Sequence, residues 1–231
     1  MATRINKWLA DHQYASRREA DALIEKGFVF INGKKAVLGD KVEDADKVEV
    51  RGKLAAEKVY YAYNKPMGVV TVNAQKGEQE ILDVVQFPEK VYPVGRLDKD
   101  TEGLIIFTND GRLTTALLDP KEVTEKEYSV TVDKPITHQM LVRLGLGVDI
   151  GVVGKSRHYK TKKAKVRKIS TKRLDIVITE GKNRQVRRMC GALGYKVVEL
   201  RRFRIGNIKL GSLKKGQYRK LKESEIEEFL G

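Results

Sequence analysis

Apolar positions recur at two different spacings along the chain, and the change from one to the other divides it. The helical spacing comes first: Ile5, Trp8 and Leu9 fall at i, i+3 and i+4 and predict a short amphipathic helix. Ser16-Arg17-Arg18-Glu19 has the spacing of a capping box, in which serine and glutamate side chains bond reciprocally to the free backbone N–H groups at a helix start. The helix it opens is expected to bury Ala20, Leu23 and Ile24, and Gly27 stands where a left-handed C-terminal cap is wanted. Phe28 to Ile31 reads as a strand and Asn32-Gly33 as a two-residue hairpin turn, with a second strand expected to carry Val37. The first fifty residues therefore predict a compact helical hairpin followed by strands.

Residues 51–58 hold no long apolar pattern and are expected to be a linker. Beyond them the alternation is that of strands: Val59 to Tyr63, Val69 to Val72, Leu104 to Thr108, Tyr128 to Val132, Leu174 to Thr179 and Val197 to Leu200. Asn109-Asp110-Gly111 supplies a turn into a helix near Leu113 to Leu118. Val186, Met189, Cys190 and Leu193 make one apolar helical face, with Arg184 and Arg188 on the other, Arg187 at the margin and Asn183 as the expected N-cap. The fold class is α+β: a small domain over 1–50, a linker over 51–58, and a larger domain over 59–231 with a large mixed, mainly antiparallel sheet flanked by helices.

Charge changes the picture. The chain of 231 residues carries 46 Lys+Arg against 31 Asp+Glu, a net charge of +15. Residues 1–50 are neutral, with nine of each sign, whereas residues 155–204 hold eighteen basic and three acidic residues, a surplus equal to that of the whole protein. Such a surplus points to a polyanionic partner. Because the basic groups of this stretch alternate with apolar strand residues, they belong to an ordered surface, and RNA is the expected partner through Lys162, Lys163, Lys165, Arg184 and Arg188. An anionic membrane is the rival, but no stretch approaches the roughly 18 apolar residues of a spanning helix. The N-terminus lacks the apolar region of a signal peptide, so a cytoplasmic protein is expected. One cysteine, Cys190, cannot close an internal disulfide, and His12, His138 and His158 are too scattered for a metal site, so no metal is expected.

The candidate chemistry lies in Gly95-Arg96-Leu97-Asp98-Lys99-Asp100-Thr101-Glu102-Gly103-Leu104, a polar, Gly-bounded loop running into the apolar run Leu104-Ile105-Ile106-Phe107. A carboxylate at Asp98, beside Arg96 and Lys99 and aimed by the strand that follows, suits a nucleophile or base. Taken alone, Asp98 is better read as a turn residue, as aspartates in loops most often are, and Asp100 reads that way too.

GRLDKDTEGL followed by IIFTNDG resembles the signature of the pseudouridine synthases of the RsuA type, which modify bacterial ribosomal RNA. The likeness extends upstream to Asn64-Lys65-Pro66-Met67-Gly68 and downstream to Glu125-Lys126-Glu127-Tyr128 and the segment from Glu180 to Met189 (EGKNRQVRRM). Residues 1–50 resemble the S4 RNA-binding domain that precedes the catalytic domain in these enzymes, with Arg18 and Lys26 expected at its RNA face. The resemblance implies that Asp98 is the catalytic carboxylate and that Arg96 takes the space of the flipped-out nucleotide. It implies that Tyr128 stacks on the uracil, with its hydroxyl open to proton transfer, and that Arg187 pairs with Asp98. Lys65, inside the upstream motif, is expected to contact RNA.

Pseudouridine formation needs no redox change, so no cofactor is expected, in keeping with a sequence that has neither a P-loop nor a dinucleotide glycine fingerprint. Two other functions compete: a non-catalytic RNA-binding or ribosome-assembly protein, which has no need of Asp98, Tyr128 and Arg187 together, and a glycosidase-like enzyme, which wants a second acidic group in place. The strings EKEYSVTVDKPIT and NRQVRRMC resemble the branch acting on large-subunit (23S) RNA more than the small-subunit branch, with tRNA a further alternative. A monomer is the expected state.

Overall fold

A computed structural model of the chain describes residues 2–12, 14–51, 57–119, 123–154 and 156–230. Most of the expected linker, residues 52–56, lies outside the described residues. The N-terminal part runs β1 (Thr3–Arg4), α1 (Ile5–Asp11), α2 (Arg17–Glu25), β2 (Val29–Ile31), β3 (Lys34–Lys35), β4 (Lys41–Val42) and β5 (Val48–Val50). Ser16 and Glu19 form both halves of the capping box, and Gly27 has φ +70°. Asn32 and Gly33 both have positive φ, as a tight hairpin turn requires. This part has a core of its own, in which Ile5, Leu9, Leu23, Ile24 and Val29 pack together.

Val37 does not lie in the second hairpin strand. That strand is Lys34–Lys35, Ala36 turns inward, and Val37 is 62% exposed, its N–H bonded to the Asp40 carboxylate. The chain leaves the hairpin early because an aspartate-capped turn captures it.

The larger part adds β6 (Tyr60–Lys65), α3 (Ile81–Val84), β7 (Tyr92–Val94), β8 (Glu102–Thr108), α4 (Gly111–Leu118), β9 (Lys126–Val132), α5 (His138–Leu146), β10 (Lys165–Lys168), β11 (Arg173–Ile178), α6 (Gln185–Ala192), β12 (Val197–Ile205), β13 (Ile208–Lys209), β14 (Tyr218–Lys220) and α7 (Glu223–Leu230). The main sheet has the order β10-β11-β9-β12-β8-β6-β14, with β13 beside β12 and β7 beside β8. Only the β12–β8 pair is parallel among the described strands, so the sheet is mixed and mainly antiparallel.

Both faces of this sheet are covered, which explains the unbroken apolar run in β8. Ile105 and Phe107 join the cluster that includes Met140 and Leu144 of α5 and Val186, Met189 and Cys190 of α6. Leu104 and Ile106 join the cluster under α4 and α7, with Leu113, Leu117 and Phe229. A strand buried on two sides shows no polar alternation.

The expected strand at Val69 to Val72 is not formed: Val70 makes one isolated bridge to Glu80. Gly68 and Asn73, both at positive φ, bracket the segment, and Thr71 is buried with its hydroxyl bonded to the backbone of Leu97. The backbone of Val70 bonds to Gln79 and Ile81, while the Thr71 side chain is given to the loop that carries Asp98.

Candidate active site

The Asp98 loop lies where the two parallel strands meet, because β8 begins at Glu102 and pairs Gly103 with Arg202 of β12. Tethers fix the loop on both sides of Asp98. At Leu97, the N–H donates to Thr71 Oγ1 (3.0 Å) and the carbonyl accepts from it (2.7 Å). At Lys99, the carbonyl accepts from Gly68 N–H (2.8 Å) and from Lys65 Nζ (3.4 Å). The Asp98 carbonyl closes a turn by accepting from Thr101 N–H at 3.0 Å. Its carboxylate is left a third exposed to a cleft of about 560 Å³ lined by Thr71, Arg96, Tyr128, Lys126, Arg184 and Arg202 among others.

Lys65 is not an RNA contact here. It is fully buried, and Nζ donates to the carbonyls of Pro66 (2.9 Å) and Val69 (2.6 Å) as well as that of Lys99. Burial lowers its pKa to about 8, opposed by the nearby carboxylates of Asp100, Asp98 and Glu102. Its place in the upstream motif follows from this geometry, since one ammonium gathers the carbonyls of two loops under the site.

The ion pair expected between Arg187 and Asp98 is replaced by a set of contacts centred on Asp100. Arg184 reaches Asp100 with both terminal nitrogens, at 2.9 and 2.7 Å, and stands 3.9 Å from the Asp98 carboxylate. Arg187, mostly buried, donates to the Asp100 carbonyl at 2.5 Å and to the Val197 carbonyl at 3.1 Å, with Nε 3.2 Å from the Asp100 carboxylate. Arg184 holds the Asp100 carboxyl below its usual range. Asp100 is therefore more than a turn residue: it draws two arginines of the α6 end onto the Asp98 loop.

Asn183 is not the N-cap of α6. Arg184 takes that position in the left-handed conformation, φ +49°, and Gln185 Oε1 accepts from Lys182 N–H at 2.9 Å. Gln185 in turn donates to the buried Glu180, which also accepts from Tyr159 Oη and Lys162 N–H. The backbone strain at Arg184 is offset by this network and by the bidentate pair, which together aim its side chain at the two aspartates.

Tyr128 sits in the cleft at 8% exposure, its hydroxyl 3.5 Å from Arg202 Nη1. Arg96 is exposed at the rim. Arg188 is occupied elsewhere, donating to the carbonyls of Ile150 and, at 2.6 Å, Val152, so it fastens a loop instead of offering a free cation. Lys165 pairs with Glu125 at 2.7 Å, while Lys162 and Lys163 are exposed. Arg18 lines a separate groove between α2 and the start of α4, and exposed Lys26 lies at the end of α2. Cys190 is buried, with its thiol pushed up to about 12 by burial, and serves packing. Among the described residues no cluster of three His, Cys, Asp or Glu side chains is placed to hold a metal ion, and no helix is long and apolar enough to cross a membrane.

Two cleft residues escape the sequence reading. Arg202 and Lys126 become cleft residues only through the β9–β12 register, which sets Arg202 opposite Tyr128. Lys126 shares the Tyr128 face by the two-residue period of a strand.

Comparison with known proteins supplies the family. Residues 59–192 match the RNA pseudouridylate synthase family and residues 3–48 the S4 domain. The dual-specificity RNA pseudouridine synthase RluF of Salmonella typhi is 43% identical over 231 residues, which span 97% of this chain and 78% of the relative. The ribosomal large subunit pseudouridine synthase B of Bacillus subtilis (strain 168) is 37% identical, over 96% of this chain and 93% of its own. A crystal structure described as that of a pseudouridylate synthase superposes with a TM-score of 0.71 at 32% identity, covering 99% of both chains. The likeness thus takes in both the S4-like N-terminal part and the larger part that holds the cleft, and the chain belongs to the RNA pseudouridine synthase family.

Proposed function

We propose that the protein isomerises a uridine of large-subunit ribosomal RNA, with Asp98 as the reacting carboxylate. The observation that carries the assignment is the double tether: Leu97 and Lys99 are each pinned, so Asp98 projects between two fixed points into the cleft that holds Tyr128. Positioning of this kind is what an isomerisation without external reactants requires. The C1′–N1 bond of uridine breaks, the uracil turns, a C1′–C5 bond forms, the C5 proton leaves and N1 ends protonated, so that product and substrate have the same atoms. Attack at C1′ and proton removal both call for Asp98 as a carboxylate.

Tyr128 presents a ring for the uracil, and Arg96 at the rim stands where the displaced base pairing would be replaced. Taking a base out of its stack costs a few kcal/mol, least in a loop or bulge. Arg184, at 3.9 Å, is the near counter-ion of Asp98, and Arg187 supports the loop from behind through Asp100. Residues 1–50 act in target choice, and a ribosomal substrate places the protein in the cytoplasm.

The large-subunit target is supported by the Bacillus relative, whose name specifies it, while the Salmonella relative is named for two specificities. Mapping pseudouridines in ribosomal and transfer RNA from cells with and without the gene tests the proposal. Loss of a large-subunit site is expected. An unchanged large-subunit map with a site lost from small-subunit RNA or tRNA would contradict the target.

A further inference from the structure

Among the described residues, no carboxylate answers two cations of the cleft. Arg202 is 5% exposed; its Nε donates to the Leu104 carbonyl at 2.8 Å, Nη1 lies 3.5 Å from Tyr128 Oη, and the buried Nη2 has no hydrogen-bond partner among the described residues. Lys126, half-buried on the same side of the sheet, makes one long bond of 3.3 Å to the Thr124 carbonyl. Among the described residues neither forms an ion pair. The carboxylates beside them in sequence are engaged: Glu125 with Lys165 and Arg204, Glu127 with Arg204. Those across the cleft face Arg184 and Arg187.

Two like charges brought together in a partly dry cleft are unfavourable unless an anion joins them. Burial, and then the charge of Arg202, push the Lys126 ammonium below its usual range, as expected of a cation without a counter-charge. The neutral uracil ring cannot supply the missing charge. A phosphodiester can, and a guanidinium fork beside an ammonium is a chemistry suited to its two free oxygens.

We propose that Arg202 and Lys126 form a phosphodiester subsite on the Tyr128 side of the cleft, taking a backbone phosphate that adjoins the uridine placed over Asp98. The proposal rests on the uridine reading above. It gives Arg202 two tasks, since the same guanidinium touches the tyrosine hydroxyl: a phosphate bound at Nη2 fixes the ring on which the base lies. Sequence-independent phosphate binding beside the reacting nucleotide places the sugar, while the base is read by the cleft.

The test is a binding titration of the full-length protein with uridine and with uridine 3′,5′-bisphosphate, followed by calorimetry or NMR at low salt. The wild type should prefer the bisphosphate by about tenfold or more, the worth of one charge-assisted hydrogen bond. Lys126→Gln and Arg202→Lys should each remove most of that preference; uridine affinity should stay unchanged in Lys126→Gln, whereas Arg202→Lys also alters the contact to Tyr128 and is read on the preference alone. If Arg202→Lys does not fold, Lys126→Gln, at a half-buried position, carries the test. A preference that persists in the folded variants, or a wild type that binds both ligands alike, overturns the subsite. Should that occur while the wild type still isomerises ribosomal RNA, the subsite alone is rejected and the uridine reading stands.

Discussion

The residue that organises the site from below is Lys65, a buried ammonium whose folded-state pKa is lowered by burial from 10.5 to about 8. The sign of its pH effect follows directly. Below about pH 8 the lysine is charged in both folded and unfolded chains and the full burial penalty is present. Between about 8 and 10.5 the unfolded chain holds the proton that the folded one has released, so stability rises with pH, by roughly 3 kcal/mol in total. The difference in unfolding free energy between wild type and Lys65→Met should therefore shift in favour of the wild type from pH 8 to 10, measured by denaturant titration. A constant difference would show that Lys65 is not desolvated. Tyr128→Phe keeps the ring and removes the hydroxyl that meets Arg202, so turnover should fall by about tenfold or more with RNA affinity little changed; single-turnover kinetics beside a binding curve would show it. Asp98 and Tyr128 were legible in the sequence because their motifs are local. Arg202 was not, because a lone arginine in a strand acquires meaning only from the residue across the ladder. The partner of Arg187 was misplaced for a related reason: Asp98 and Asp100 are two residues apart in one turn, and the backbone decides which of them faces the helix.

Among the elements, the junction of β8 and β12 carries the most constraint. Gly103 has φ +109°, and a Cβ there would fall 2.1 Å from the carbonyl oxygen of Arg202. Gly103→Ala should therefore cost more than about 2 kcal/mol and disturb Arg202 and the Asp98 loop together, lowering the melting temperature and the turnover of whatever protein remains folded. A variant with wild-type melting and activity would show that the strands do not approach so closely. The sequence pattern found β6, β8, β9, β11 and β12 because each has apolar residues on at least one buried face. It did not find β10, an edge strand of sequence KVRK with one apolar side chain, in which lysines guard the exposed edge. It read Val69 to Val72 as a strand because valine and threonine favour one, whereas the side chain of Thr71 is spent on the Leu97 backbone. Local propensity yields here to tertiary context, since turns at Gly68 and Asn73 bracket the segment and leave Val70 one bridge to Glu80.

Across the whole molecule, the basic surface and the Asp98 cleft draw on largely different residues. The basic stretch 155–204 holds the entire net charge, yet the structure commits Arg184, Arg187, Arg188 and Arg204 to internal partners. The cations left for phosphates are fewer than the count suggests, with Lys162 and Lys163 exposed among them. Replacing both by Gln should weaken correct and incorrect RNA alike and reduce the slope of log affinity against log salt by about 1 to 2, at roughly 0.7 per contact on single strands. An unchanged slope would place the RNA elsewhere on the surface. In the proposed function the chemistry, by contrast, depends on the Asp98 carboxylate. The most direct measurement is conversion of uridine in unmodified ribosomal RNA by purified wild type and Asp98→Asn, with RNA affinity determined on the same preparations. The account predicts equal affinity and pseudouridine from the wild type alone, because the nearly isosteric amide keeps the loop but can neither attack nor take a proton. Pseudouridine formed by Asp98→Asn at a rate comparable to wild type would contradict it.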